Sequence, residues 1–124
     1  MKLLVLSAVI LTTSVLALAA EGPSITGKWT IHSNIAGNES DAACALTQKE
    51  TELTGICKTD HGESPATGKI DGSKITLSYR SEYNGSPLTI KYVGTFDPAA
   101  SKISGTVTVE EFGVDGEFTA TPSK

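Results

Sequence analysis

The feature that most limits what this chain can fold into is an alternation of apolar residues with period two, repeated between turn signals along almost the whole sequence. Ile25, Gly27, Trp29 and Ile31 share one face of the first run, followed by Ala42, Cys44 and Leu46, then by Leu53, Gly55 and Cys57. Further runs are Ala66, Gly68 and Ile70; Ile75, Leu77 and Tyr79; every second residue from Leu88 to Phe96; every second residue from Ile103 to Val109; and Phe118 with Ala120. No stretch sustains the 3.6-residue spacing of an amphipathic helix, so a helical fold is excluded. The connections are short, which makes consecutive strands antiparallel neighbours. The expected fold is all-β: an eight-stranded antiparallel up-and-down meander. Closing the strip into a barrel buries its one apolar face and removes both unpaired edges.

Two places set the register. The segment from Ile70 to Ile75 fits a two-residue hairpin with Gly72 first in a type II′ turn, so Ile70 faces Ile75 and Gly68 faces Leu77. If Cys44 faces Cys57, then Leu46 faces Gly55, Gln48 faces Leu53, and the residues from Lys49 to Glu52 form the turn. That pairing puts the whole apolar set inside, and directly opposed residues lie within disulfide reach. A Cys44–Cys57 disulfide is therefore expected, worth about 2–3 kcal/mol for a loop of this length. Neither a C-x-x-C spacing nor a helix N-terminus is present to activate either thiol.

Lys2, the apolar run from Leu3 to Leu11 and the small residues from Ala17 to Ala20 read as a secretory signal peptide over residues 1–20. Residues 21–124 are then a single domain without a membrane span, secreted or periplasmic, where thiols oxidise. Its charge is 9 − 14 = −5, with no basic tract, so nucleic-acid binding has no electrostatic basis.

An up-and-down barrel has two ends. The sequence assigns tight turns around Glu50, Gly72 and Pro98 to the base, and longer loops at about 32–41, 59–65, 82–87 and 110–116 to the mouth. Nine acids fall at the mouth (Glu39, Asp41, Asp60, Glu63, Glu82, Glu110, Glu111, Asp115 and Glu117) against Lys58 and Arg80. Such an end favours neutral or cationic ligands or a basic partner surface. Inside, Trp29, Ile70, Ile75, Phe96 and Ile103 gather toward the base. Ile31, Tyr79, Ser81, Tyr83 and Leu88 lie nearer the mouth and are the candidate ligand-binding residues. An eight-stranded barrel is either filled by side chains or holds one small ligand.

The segment Thr26-Gly27-Lys28-Trp29-Thr30 resembles the G-x-W signature of lipocalins, avidins and a family of small periplasmic metalloprotease inhibitors. The cadence of the chain looks most like small secreted lipocalin-like domains of the calycin type. The resemblance implies a structural role for Trp29, packed across the barrel base near the chain entrance. It departs from lipocalins at the last strand, where only Lys124 stands in for their usual Arg. It departs from avidins in having Trp29 alone, which leaves biotin without the further tryptophans it needs. The inhibitor family is similar in following this strand with a disulfide-bonded strand pair, and its inhibitory arm would correspond to Glu21-Gly22-Pro23-Ser24.

Catalytic constellations are thin. His32 is out of phase with Trp29 and Ile31 and points outward, while His61 lies between Asp60 and Glu63 in a loop of the solvated type. No nucleophile has a base and an orienting acid set by pattern. The acids from Glu110 to Glu117 lack the spacing of a calcium loop. The sequence thus reads as a monomeric, noncatalytic binding protein with no cofactor and no metal, taking a small molecule or a protein partner at the mouth. Protease inhibition is the alternative.

Overall fold

A computed structural model describes residues 24–123. The signal-peptide assignment, residues 21–23 of the arm and Lys124 lie outside the described residues. Eight strands follow in chain order: β1 (Gly27–Ile35), β2 (Asn38–Lys49), β3 (Glu52–Thr59), β4 (Gly62–Asp71), β5 (Lys74–Tyr83), β6 (Ser86–Asp97), β7 (Lys102–Val109) and β8 (Val114–Pro122). Each pairs antiparallel with the next, and β8 returns to β1 with Ile31 opposite Ala120, so the sheet is a closed barrel. Closure leaves no strand edge to pair with another chain.

The alternation decides which face lies inside. Every apolar residue of the eight runs from Ile25 to Ala120 is buried, apart from the glycines among them, several of which are only partly covered. The outer wall carries residues such as Lys28, Lys58, Lys69 and Lys91, all exposed. Among the described residues no helix is long and apolar enough to cross a membrane.

Both register markers hold. Ile70 faces Ile75 and Gly68 faces Leu77, with Gly72 at φ 63° opening the turn. Cys44 faces Cys57, Leu46 faces Gly55, Gln48 faces Leu53, and the two sulfurs are bonded. This bridge crosses one ladder, so it adds little to native geometry that hydrogen bonds do not already provide. Its contribution comes mainly from the unfolded chain. Replacing both cysteines by alanine should lower the unfolding free energy by about 2–3 kcal/mol in a urea titration, with the far-ultraviolet circular dichroism of the native state unchanged.

At the base, Trp29 lies edge-on to Phe96 with ring centroids 6.1 Å apart. Its indole Nε1 donates to the Ile25 carbonyl at 2.8 Å. The backbone N–H of Ile25 in turn donates to Gln48 Oε1 at 3.0 Å. Chain entrance, β1 and β2 are thereby tied over the bottom of the barrel, where the resemblance to G-x-W barrels puts this Trp.

The mouth differs from its sequence reading. In place of long loops, β1 and β2 run on to a two-residue turn at Ala36-Gly37, β3 and β4 to one at Asp60-His61, and β5 and β6 to one at Asn84-Gly85. Only β7 and β8 are joined by more, the four residues 110–113. Ala36 and Gly37, at φ 54° and 86°, and Asn84 and Gly85, at 51° and 83°, adopt the left-handed pairs whose twist suits a tight hairpin. Beyond the rim of the barrel neither face of a strand is covered, as in the fully exposed start of β2 at Asn38–Asp41. The polar alternation that marks a strand is therefore lost there, and composition reads as loop.

Candidate functional site

The interior is divided in two. Tyr92 on β6 meets Phe118 on β8, one strand beyond β7, at 4.9 Å between ring centroids, edge to face. On the base side lies a void of about 20 Å³, lined by Trp29, Ile31, Leu46, Leu77 and Phe118 among others. A void of that size holds about one water at most. On the mouth side lies a cup of about 140 Å³. Ala42, Ile90 and Val107 contribute apolar wall, Ser33, Tyr79 and Tyr92 bring hydroxyls, and Ser40, Asp41, Thr59, Asp60, His61 and Ser81 are also part of its lining.

The Tyr79 and Tyr92 rings stack with centroids 6.0 Å apart, and their hydroxyl oxygens are 3.4 Å apart. Burial pushes both phenols up from their ordinary value, and for Tyr92 the neighbouring Tyr79 adds to the shift. Both are neutral O–H groups at physiological pH. Ser33, 4% exposed, is the buried polar residue of the core and lines the same cup.

Of the residues singled out from sequence, Tyr79 and Ser81 line the cup. Ile31 lines the void beneath the partition. Leu88 is buried in the wall. Tyr83 is exposed beyond the rim, edge-on to Phe112 of the β7–β8 turn at 6.4 Å. Ser33 and Tyr92 complete the cup, and the alternation holds a signal for Ser33: it continues the inward phase of Trp29 and Ile31, where a polar side chain is out of place. A shallower trough of about 370 Å³ lies on the outer wall of β1–β3 beside Lys28, Ala45, Ile56 and Lys58. It is the more open of the two, and its lining brings one hydroxyl, that of Ser123, so the cup is the better-built site.

No family model matches this sequence, and no curated protein matches it. The eight-stranded closed antiparallel barrel is consistent with a calycin-like fold, and the Cys44–Cys57 disulfide is compatible with an oxidising extracellular or periplasmic location.

Several mouth acids hold the rim together. Glu111 reaches back to β6, where its carboxylate accepts the Thr89 backbone N–H at 2.6 Å and the Thr89 hydroxyl at 2.8 Å. The backbone bond, then the hydroxyl bond, holds the Glu111 carboxyl below its ordinary range. Asp115 accepts from Thr108 at 2.7 Å, joining β7 to β8. On the outer wall His32 sits between two carboxylates, with Nδ1 at 2.6 Å from Asp41 Oδ1 and Nε2 at 2.8 Å from Glu39 Oε1.

Both His32 nitrogens donate only in the imidazolium, so Asp41 first and Glu39 second raise its pKa above the ordinary 6.5. Because the folded value is the higher one, the stabilisation is fully present below about pH 6.5 and is lost as pH rises through the folded value. A proton NMR titration should find the His32 midpoint above 6.5, and Asp41→Asn should bring it down. A midpoint at or below 6.5 would refute the double clamp. Among the described residues no group of three or more His, Cys, Asp or Glu side chains is arranged to hold a metal ion.

Proposed function

We propose that this protein is a secreted, monomeric, noncatalytic binding protein of lipocalin-like type, and that the mouth cup receives a small molecule. The observation that carries the reading is the cup itself: about 140 Å³ inside the barrel wall, with the hydroxyl-bearing residues Ser33, Tyr79 and Tyr92 in its lining. A packed core has no need of such a space, and buried hydroxyls in an apolar barrel are costly unless something satisfies them. The size bounds the ligand. A dry cavity of about 150 Å³ in another protein takes benzene, so the ligand here is of that order, smaller than the usual lipocalin or avidin cargo.

The acids of the rim support a neutral or cationic ligand over an anion. They also suit a basic partner surface, for which the exposed Tyr83 and Phe112 beside Glu82 and Glu110 offer an apolar contact. The inhibitor alternative falls on residues 21–24, of which only Ser24 is described; Ser24 is exposed and Ile25 is fully buried.

The experiment is a screen of ring-sized fragments against the full chain, followed by NMR of the tyrosine rings, with Ala42→Leu as the control. Leucine at this buried position adds three carbons to the apolar wall of the cup and leaves the hydroxyl residues themselves unaltered. Fragments that shift Tyr79 and Tyr92 in the native protein should lose at least about tenfold in affinity in the variant, since the space they need is occupied. Equal binding by both proteins, or none by either, sinks the reading.

A further inference from the structure

The two tyrosine hydroxyls of the cup cannot fully satisfy one another. The Tyr92 Oη lies 3.4 Å from that of Tyr79, and Ser33, 4% exposed, lines the same space. The Tyr79–Tyr92 pair has two O–H donors but only one link, so whichever way the protons run, one donor is left for whatever occupies the space. The Tyr79–Tyr92 link is also long for an O–H···O bond, and a better acceptor entering the cup would displace it. A buried donor without an acceptor is a standing cost, and the cup is where that cost can be removed.

The carboxylates of the lining, by contrast, are Asp41 and Asp60, on the strand end and turn at the mouth. An ammonium group held inward beside the hydroxyls would be turned away from Asp41 and Asp60, and a carboxylate would have to pass those acids to reach a place without a cation. A neutral acceptor meets neither obstacle.

We infer that the cup takes a neutral molecule of about benzene's size, carrying a carbonyl or ether oxygen that points inward onto the hydroxyls of Ser33, Tyr79 and Tyr92. The inference rests on the reading of the cup as a ligand site and adds the ligand's class and orientation. The apolar body lies against Ala42, Ile90 and Val107, and the oxygen accepts the spare O–H.

The test uses the full chain and probes that share one ring: cyclohexanone, methylcyclohexane, cyclohexylammonium and cyclohexanecarboxylate, titrated while the tyrosine ring resonances are followed. Cyclohexanone should bind about tenfold more tightly than methylcyclohexane and than either ion. The triple variant Ser33→Ala, Tyr79→Phe, Tyr92→Phe keeps both aromatic rings and removes all three hydroxyls; it should lose the preference for the ketone and keep methylcyclohexane. In the unaltered protein the ¹³C resonance of the bound carbonyl should move from its position in an apolar solvent toward that of a hydrogen-bonded ketone, a readout that does not depend on the variant folding.

If none of the probes binds, the reading of the cup as a ligand site fails and the inference with it. If methylcyclohexane or an ion binds as well as the ketone, or the bound carbonyl keeps its apolar position, the cup stands as a site and the inward-facing neutral acceptor is overturned.

Discussion

Trp29→Ala should cost about 3–5 kcal/mol, the largest loss expected from any single truncation in this barrel. Trp29 is 5% exposed, stands edge-on to Phe96, and through its indole N–H holds the Ile25 carbonyl at the chain entrance. Alanine would leave a hole in the packed half of the barrel and a buried Ile25 carbonyl without its donor. Both effects act at the place where β1 begins to pair with β2 and β8. A domain of this size is stable by only about 5–15 kcal/mol, so the variant should melt more than about 15 °C lower. Trp29 is the sole tryptophan, so unfolding should be followed by circular dichroism rather than by its fluorescence. Trp29→Phe keeps most of the ring and loses the hydrogen bond, and should fall between the two. A loss below about 1 kcal/mol for alanine would mean that the base is held by something other than this plug.

Gly105→Ala should be nearly as damaging although it adds a single carbon. Gly105 of β7 faces Gly94 of β6, and a Cβ on it would stand 2.1 Å from the Val93 carbonyl oxygen and 2.5 Å from the Gly94 Cα. Both obstacles are backbone, so no rotamer change relieves them and the two strands must part. The expected cost is about 2–3 kcal/mol or more, seen as a lower urea midpoint. Gly72→Ala is the instructive comparison. A Cβ there meets nothing within 4 Å, but the residue sits at φ 63°, so its penalty of about 1 kcal/mol is conformational rather than steric. If Gly105→Ala were as mild as Gly72→Ala, the close approach of β6 and β7 would be wrong.

These glycines also explain how the barrel is divided. A Cβ on Gly94 would come within 2.8 Å of Phe118 Cζ. The ring therefore lies over bare backbone and from there reaches Tyr92. Glycine on one pair of strands makes room for the aromatic partition that separates the filled base from the open cup. Small residues in the inward phase do not by themselves mean a hollow interior, because a large side chain from a neighbouring strand can use the space they leave.

The inward set from Ile25 to Ala120 was legible because period two admits only one way to bury these residues, and a one-residue slip would turn each strand inside out. The Cys44–Cys57 pairing and the hairpin at Gly72 were legible for the same reason, each tying two strands at one register. The outward direction of His32 was legible from its phase, but its clamp by Asp41 and Glu39 was not. That depends on β1 and β2 extending together past the rim, where no burial imposes a pattern. Glu111 reaching Thr89 was likewise hidden, since it joins the β7–β8 turn to a different strand.

What the sequence by itself determined is thus the class of fold, the strand order and the face each residue presents, since local alternation and short connections are enough to decide them. It took the closed barrel to bring Ser33, Tyr79 and Tyr92 into one lining at the mouth. β5 and β6 are hairpin neighbours, but β1 comes round to them only once it pairs with β8 and the cylinder closes. No period in the chain records distances across that space, which are set by the strand tilt and by the volume of the aromatic rings that happen to fill it.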